Sequence, residues 1–133
     1  MKTFLDDRGF SIHDVFPLKD GQINYSELVP GVVKAFHRHQ KQTDYWCVIR
    51  GNAKIVLVDE SSGKPEIKVH CIGEQNVQVI AIPPGVWHGY TSIGNEKSAM
   101  LYWVTEKYDK NQPDEERLAW DHFGAEVWSV DNK

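Results

Sequence analysis

The chain has 133 residues, with 15 Lys and Arg against 19 Asp and Glu for a net charge of -4, and only two cysteines. That length makes a single domain over residues 1–133, able to bury roughly two-thirds of its unfolded surface without disulfide staples. Its cations are scattered, so there is no basic stripe to follow nucleic acid. No apolar run reaches the ~18 residues needed to span a bilayer, and the Met1–Asp7 start lacks the pattern of a signal peptide. The expectation is therefore a cytoplasmic protein whose partner is neither nucleic acid nor membrane.

In chain order, the first polar cluster is Asp6-Asp7-Arg8, followed by Gln22-Ile23-Asn24-Tyr25-Ser26. Strand-like runs rich in Val, Ile, Tyr and Trp then recur at Tyr45–Arg50, Ala53–Val58, Glu66–Cys71, Val77–Ile82 and Ser98–Thr105. Turn chemistry separates them: Arg50-Gly51-Asn52, the Ser-Ser-Gly-Lys-Pro before Glu66, Gly73–Asn76 and Ile93–Glu96. This rhythm, with no amphipathic helix between the strands, predicts an all-β barrel or jelly roll. Cys47 and Cys71 fall inside apolar runs and are expected to be buried free thiols. A short helix is expected over Asn111–Ala119, opened by Pro113, with Asp114, Glu115, Glu116 and Arg117 as its solvated face.

Chemistry concentrates between Gly31 and Gly51 and in Pro83-Pro84-Gly85-Val86-Trp87-His88. Alternation sets His37 and His39 on one strand face, and a paired strand brings Asp44 and His88 to the same face. Five residues separate Gly31 from His37, four separate His39 from Asp44, and six separate Asp44 from Gly51. That frame resembles the first motif of metal-binding cupins, with Pro-x-Gly-x-x-His as the second. His37, His39, Asp44 and His88 are thus alternative ligands for Fe, Mn, Ni or Zn.

A second resemblance runs through nearly the whole chain. Asp7-Arg8-Gly9-Phe10, Gln22–Ser26, Pro30–His37, Val48–Gly51, Ile82–Tyr90, Tyr102–Tyr108 and Trp120-Asp121 occur in the order found in the dTDP-4-dehydrorhamnose 3,5-epimerase family of sugar-nucleotide cupins. The resemblance implies a cupin, a double-stranded β-helix, acting without a cofactor on a dTDP-4-keto-6-deoxyhexose in deoxysugar or cell-surface polysaccharide biosynthesis. It implies His37 as the base that removes a proton next to the ketone and Tyr102 as the acid that returns one. Arg8, Lys34 and Arg50 are implied at the diphosphate, with Gln22, Asn24, His88 and Tyr108 around the sugar, in a homodimer whose sheets pair.

Asp44 stands where that family has an enolate-steadying lysine, and the sequence stops before the distal Asp that orients the family's histidine. His39, paired with Asp44, is the candidate replacement for the lysine. The Phe36-His37-Arg38-His39 run is also similar to sugar-nucleotide 3,4-ketoisomerases. A nitrogen of His37 that binds a metal cannot also take a carbon-bound proton, so the metal and base readings compete for this residue.

Overall fold

The computed structural model describes residues 2–7, 9–13 and 15–130. Two antiparallel sheets face each other, as expected of a double-stranded β-helix. One has the order β3 (Gln22–Leu28), β10 (Ser98–Val104), β5 (Asp44–Arg50), β8 (Val79–Ile82). The other runs β11 (Glu116–Arg117), β4 (Val33–Arg38), β9 (Trp87–Ser92), β6 (Asn52–Asp59), β7 (Glu66–Gly73). A hairpin of β1 (Lys2–Asp6) and β2 (Gly9–His13) forms a sheet of its own.

Alternation explains the principal core. Trp46 and Val48 of β5, Ala53 and Ile55 of β6, and Tyr90 and Met100 point between the sheets, with Ile72, Ile80 and Ile82 filling the rest. The opposite face of the five-stranded sheet has a second core, in which Phe36, Val56, Val58 and Trp87 meet Trp128 and are packed by Leu118, Phe123 and Val127. The C-terminal segment is thus a wall against the barrel's outside. Phe36 is completely buried there, and such a side chain contributes about 1.5–3 kcal/mol by leaving water.

Two expectations are corrected. Residues 111–119 form no helix: they run as turns and extended chain into the two-residue strand β11, and the 3-10 turn Ala125–Trp128 is the only helical element among the described residues. Pairing with the β4 edge supplies more backbone hydrogen bonds than a short, charged, isolated helix could hold. Cys71 is exposed while Cys47 is buried. Cys71 lies on β7 at the end of the sheet order, opposite Lys54 on the outer face, beyond the reach of the second core.

One irregularity positions the site. Lys34 pairs with Tyr90 but His37 pairs with His88, so β4 carries one extra residue between them. This bulge turns Ala35 and Phe36 toward the outer core and Lys34 and His37, three residues apart, toward the interior. Gly89 faces the bulge, where an added Cβ would lie 2.3 Å from the Ala35 Cβ.

Candidate functional site

The ends of β4 and β10 and the starts of β3, β5 and β9 surround an open cavity of about 810 Å³. Its lining includes Lys34, His37, His39, Asp44, His88 and Tyr102, and also Gln22, Asn24 and Tyr108. Nine of the sequence-derived site residues are therefore brought together. Arg50 is not among them. It ends β5 six residues beyond Asp44, roughly 20 Å along the strand, at the barrel's other end. The diphosphate role expected for Arg50 is corrected on that ground. Arg8 lies outside the described residues.

His37 sits inward on β4, between His88 of β9 and Arg117 of β11. Its Nδ1 lies 2.6 Å from Glu115 Oε1, while Arg117 holds the other oxygen of Glu115 through Nε at 3.1 Å and Nη2 at 2.9 Å. Burial raises the Glu115 carboxyl, but the hydrogen bonds from Arg117 and His37 outweigh it and hold the group below the usual carboxylate range. An ionised carboxylate only accepts, so His37 donates from Nδ1, and Nε2 is the bare nitrogen of its neutral ring.

His39 follows the end of β4. Its Nδ1 hydrogen-bonds to the Asp114 carbonyl, and its own carbonyl accepts the Gly85 N–H at 2.8 Å from the Pro-Pro-Gly turn. The Asp114 carboxylate collects the backbone N–H groups of Gln40, Lys41 and Gln42 at 2.8, 2.9 and 3.1 Å. Burial works against its ionised form, yet these three donors keep its carboxyl below the normal value.

Asp44 is buried at the start of β5 and receives Trp46 Nε1 at 3.0 Å on one oxygen and Gln42 Nε2 at 2.6 Å on the other. Across from it lie His39 Nε2 at 3.7 Å and His88 Nε2 at 3.9 Å. Complete burial pushes His88 down to about 4 against the opposing pull of Asp44, so at neutral pH its ring is uncharged. Its Nδ1–H donates to the Val86 carbonyl at 3.0 Å, which leaves Nε2 facing the carboxylate as a second acceptor.

Two ring nitrogens and a carboxylate oxygen that lie within 4.8 Å of one another suit a transition-metal cation, and the donors are His39, Asp44 and His88. His37 is outside that cluster, so the expected competition between ligand and base does not arise.

Tyr102 lies inward on β10 between Asn24 and Trp46. Burial raises its phenol, and the nearby Tyr90, Asp44 and Glu115 add to the effect, so it keeps its proton at pH 7. Lys34 reaches Ser26 Oγ at 3.5 Å, and Gln22 donates to Asn24 at 2.7 Å. Lys41, Lys107 and Arg117 add cations to the lining.

Glu115 and Asp114 were missed as site residues because a two-residue strand has no periodicity. The available signal was Pro113 followed by charges and then Leu118, whose backbone pairs with Phe36 in both directions at 3.0 Å.

Residues 4–116 match the model of the polysaccharide biosynthesis C-terminal domain family. The chain belongs to that family. Its relatives include the spore coat polysaccharide biosynthesis protein SpsL of Bacillus subtilis (strain 168), 42% identical over 124 residues, which are 87% of this chain and 82% of the relative. The probable low-salt glycan biosynthesis epimerase Agl13 of Haloferax volcanii is 41% identical over 101 residues, 73% of this chain and 65% of the relative, so just under two-thirds of that protein is spanned. Among solved structures, a dTDP sugar isomerase from Desulfovibrio desulfuricans G20 superposes with a TM-score of 0.80 at 25% identity, covering 91% of this chain and 82% of that one. Sugar epimerases and isomerases of polysaccharide biosynthesis thus surround this member of the family. Among the described residues, no helix is long and apolar enough to cross a membrane.

Proposed function

We propose that this protein is an epimerase or isomerase of a nucleotide-linked 4-keto-6-deoxyhexose, of the dTDP-sugar kind, working by proton transfer beside the ketone. The observation that carries the reading is His37: one ring nitrogen is occupied by Glu115, the ring lines the cavity, and Tyr102 lines the same cavity with its phenol protonated.

A ketone acidifies the neighbouring C–H bonds. His37 Nε2 takes one such proton, the electron pair moves onto the carbonyl oxygen as an enolate, and Tyr102 delivers a proton to carbon from the other sheet. His39, as the imidazolium that Asp44 beside its Nε2 favours, is the donor to the enolate oxygen. Lys34, Lys41 and Lys107 provide the positive field for the diphosphate, and Gln22, Asn24 and His88 contact the sugar. Tyr108, two-thirds exposed, closes over the rim.

A second reading is favoured by the His39, Asp44 and His88 cluster. Held by these three residues, a divalent transition metal would supply Lewis-acid chemistry, with His37 outside the cluster and still free as base. Metal analysis of protein purified without added metal separates the two readings, since a stoichiometric ion lost in His88→Ala selects the second.

The working unit is a homodimer in the cytoplasm. The outer face of the four-stranded sheet exposes Ile23, Tyr25 and Ile49, and the β1–β2 hairpin exposes Phe4 and Leu5. A two-stranded hairpin gains little stability by itself, so a second copy covering both accounts for them. Two free thiols, one of them exposed, fit a reducing compartment.

The test is deuterium incorporation from solvent into dTDP-4-keto-6-deoxyglucose. Wild type incorporates label at carbon next to the ketone, His37→Asn abolishes incorporation, and Tyr102→Phe slows or redirects it. Unchanged incorporation in both variants removes the assignment.

A further inference from the structure

The segment 114–117 grips β4 with each successive residue. Asp114 fixes His39 through its carbonyl and the 40–42 turn through its carboxylate, Glu115 fixes His37, and Glu116 binds Arg38 Nε and Gln40 Nε2, both at 2.6 Å. The β11 ladder sets Glu116 opposite Arg38 and Arg117 opposite His37, and Arg117 clamps the free oxygen of Glu115.

We infer that residues 114 and 115 of this strap form a positioning device for the proposed proton transfer: their acceptors hold a proton of both His37 and His39 on Nδ1, so that Nε2 is the nitrogen each ring turns to the reaction, bare on the neutral His37 that acts as base. The inference rests on the function proposed above and deepens it. A neutral imidazole has one N–H, and the nitrogen that keeps it is decided by the partner of the other. On the strap both partners are pure acceptors, a carboxylate for His37 and a carbonyl for His39. No barrel strand contributes either of them.

Glu115 has a second task. When His37 accepts a carbon-bound proton it becomes a cation, and a carboxylate 2.6 Å from Nδ1 stabilises that form. Arg117 stops the carboxylate from rotating away, because its Nε and Nη2 both sit on Oε2. Glu115 is therefore a positioning residue acting through His37.

The experiment compares Glu115→Gln, Glu115→Ala and Glu116→Gln in the full chain. Glu115→Gln lowers kcat for deuterium incorporation by about 10³–10⁴-fold, the scale of losing an orienting carboxylate behind a histidine base, with KM nearly unchanged. Nitrogen-15 spectra of the imidazoles, recorded without substrate, show Nδ1–H for His37 in wild type and a changed pattern in Glu115→Gln. Added formate restores part of the rate of Glu115→Ala by placing a carboxylate in the vacated space. Glu116→Gln, which weakens an ion pair to Arg38 but leaves residues 114 and 115 and both rings in place, stays within about threefold of wild type. A wild-type rate and an unchanged Nδ1–H signal in Glu115→Gln overturn the inference, as does an equal loss in Glu116→Gln. If even wild type exchanges no deuterium, the proposed function fails, while the nitrogen spectra still decide the role of the strap.

Discussion

Replacing Gly89 by alanine tests whether the β4 bulge positions the site. The added Cβ would meet the Ala35 Cβ at 2.3 Å and both the Ala35 Cα and the Lys34 carbonyl at 2.9 Å. Carbon atoms prefer about 3.5–4.0 Å, so β4 and β9 must part by roughly 1.2 Å where Lys34 and His37 are turned inward. Gly89 has no left-handed backbone angle, so the clash alone sets the cost. Overpacking of this kind costs about 1–3 kcal/mol, and a displacement near 1 Å at a reacting group can cost ~10²-fold in rate. In urea unfolding the midpoint should fall by about 1 M, given a slope of about 1–3 kcal/mol/M. Deuterium incorporation should fall with it. Ala35→Gly in the same chain removes the 2.3 Å contact and should recover part of both losses. A Gly89→Ala protein with the wild-type midpoint and rate would refute the reasoning.

Three further outcomes follow from the geometry. His88 is held down to about 4 in the folded chain against about 6.5 when unfolded, so the unfolded state binds the extra proton and stability declines as pH falls from about 6.5 to 4. In metal-free protein this amounts to at most about 3 kcal/mol, and urea titrations at pH 7, 5.5 and 4 should show a shallower decline in His88→Gln; parallel curves count against it. Phe36→Ala should destabilise by about 3–5 kcal/mol, read as a loss of thermal midpoint, because the ring is fully buried between Phe123 and Trp128. Tyr25→Glu combined with Ile49→Lys should convert a dimer to a monomer in light scattering at micromolar protein, and an unaltered mass would place the interface elsewhere.

The strands were legible where composition and turn chemistry agreed. Ala53–Val58 and Val77–Ile82 differ from the observed strands by a residue or two at their ends. His37, Asp44 and His88 were legible as a set because paired strands bring equivalent ends together. The bulge was not, since nothing in Val33-Lys34-Ala35-Phe36 announces an extra residue, although it decides that Lys34 and His37 share a face. The strap was misread because Pro113-Asp114-Glu115-Glu116 carries helix-start chemistry, and local propensity lost to pairing with the β4 edge. Arg50 was misplaced for a third reason: a motif match gives a residue's neighbours in sequence but not which end of the barrel its strand has reached.

The sheet order also governs when the protein becomes competent. β3 closes against β10 and β4 against β11, so pairings between the first and last thirds of the chain complete the barrel, a topology that folds on the millisecond-to-second scale. During synthesis His37 leaves the ribosome well before Glu115, Leu118 and Trp128, which steady it and seal the sheet behind it. Nascent chains short of those residues hold His37 in sequence and lack the groups that orient it, so the site should become complete in one step, once residues 115–128 have emerged.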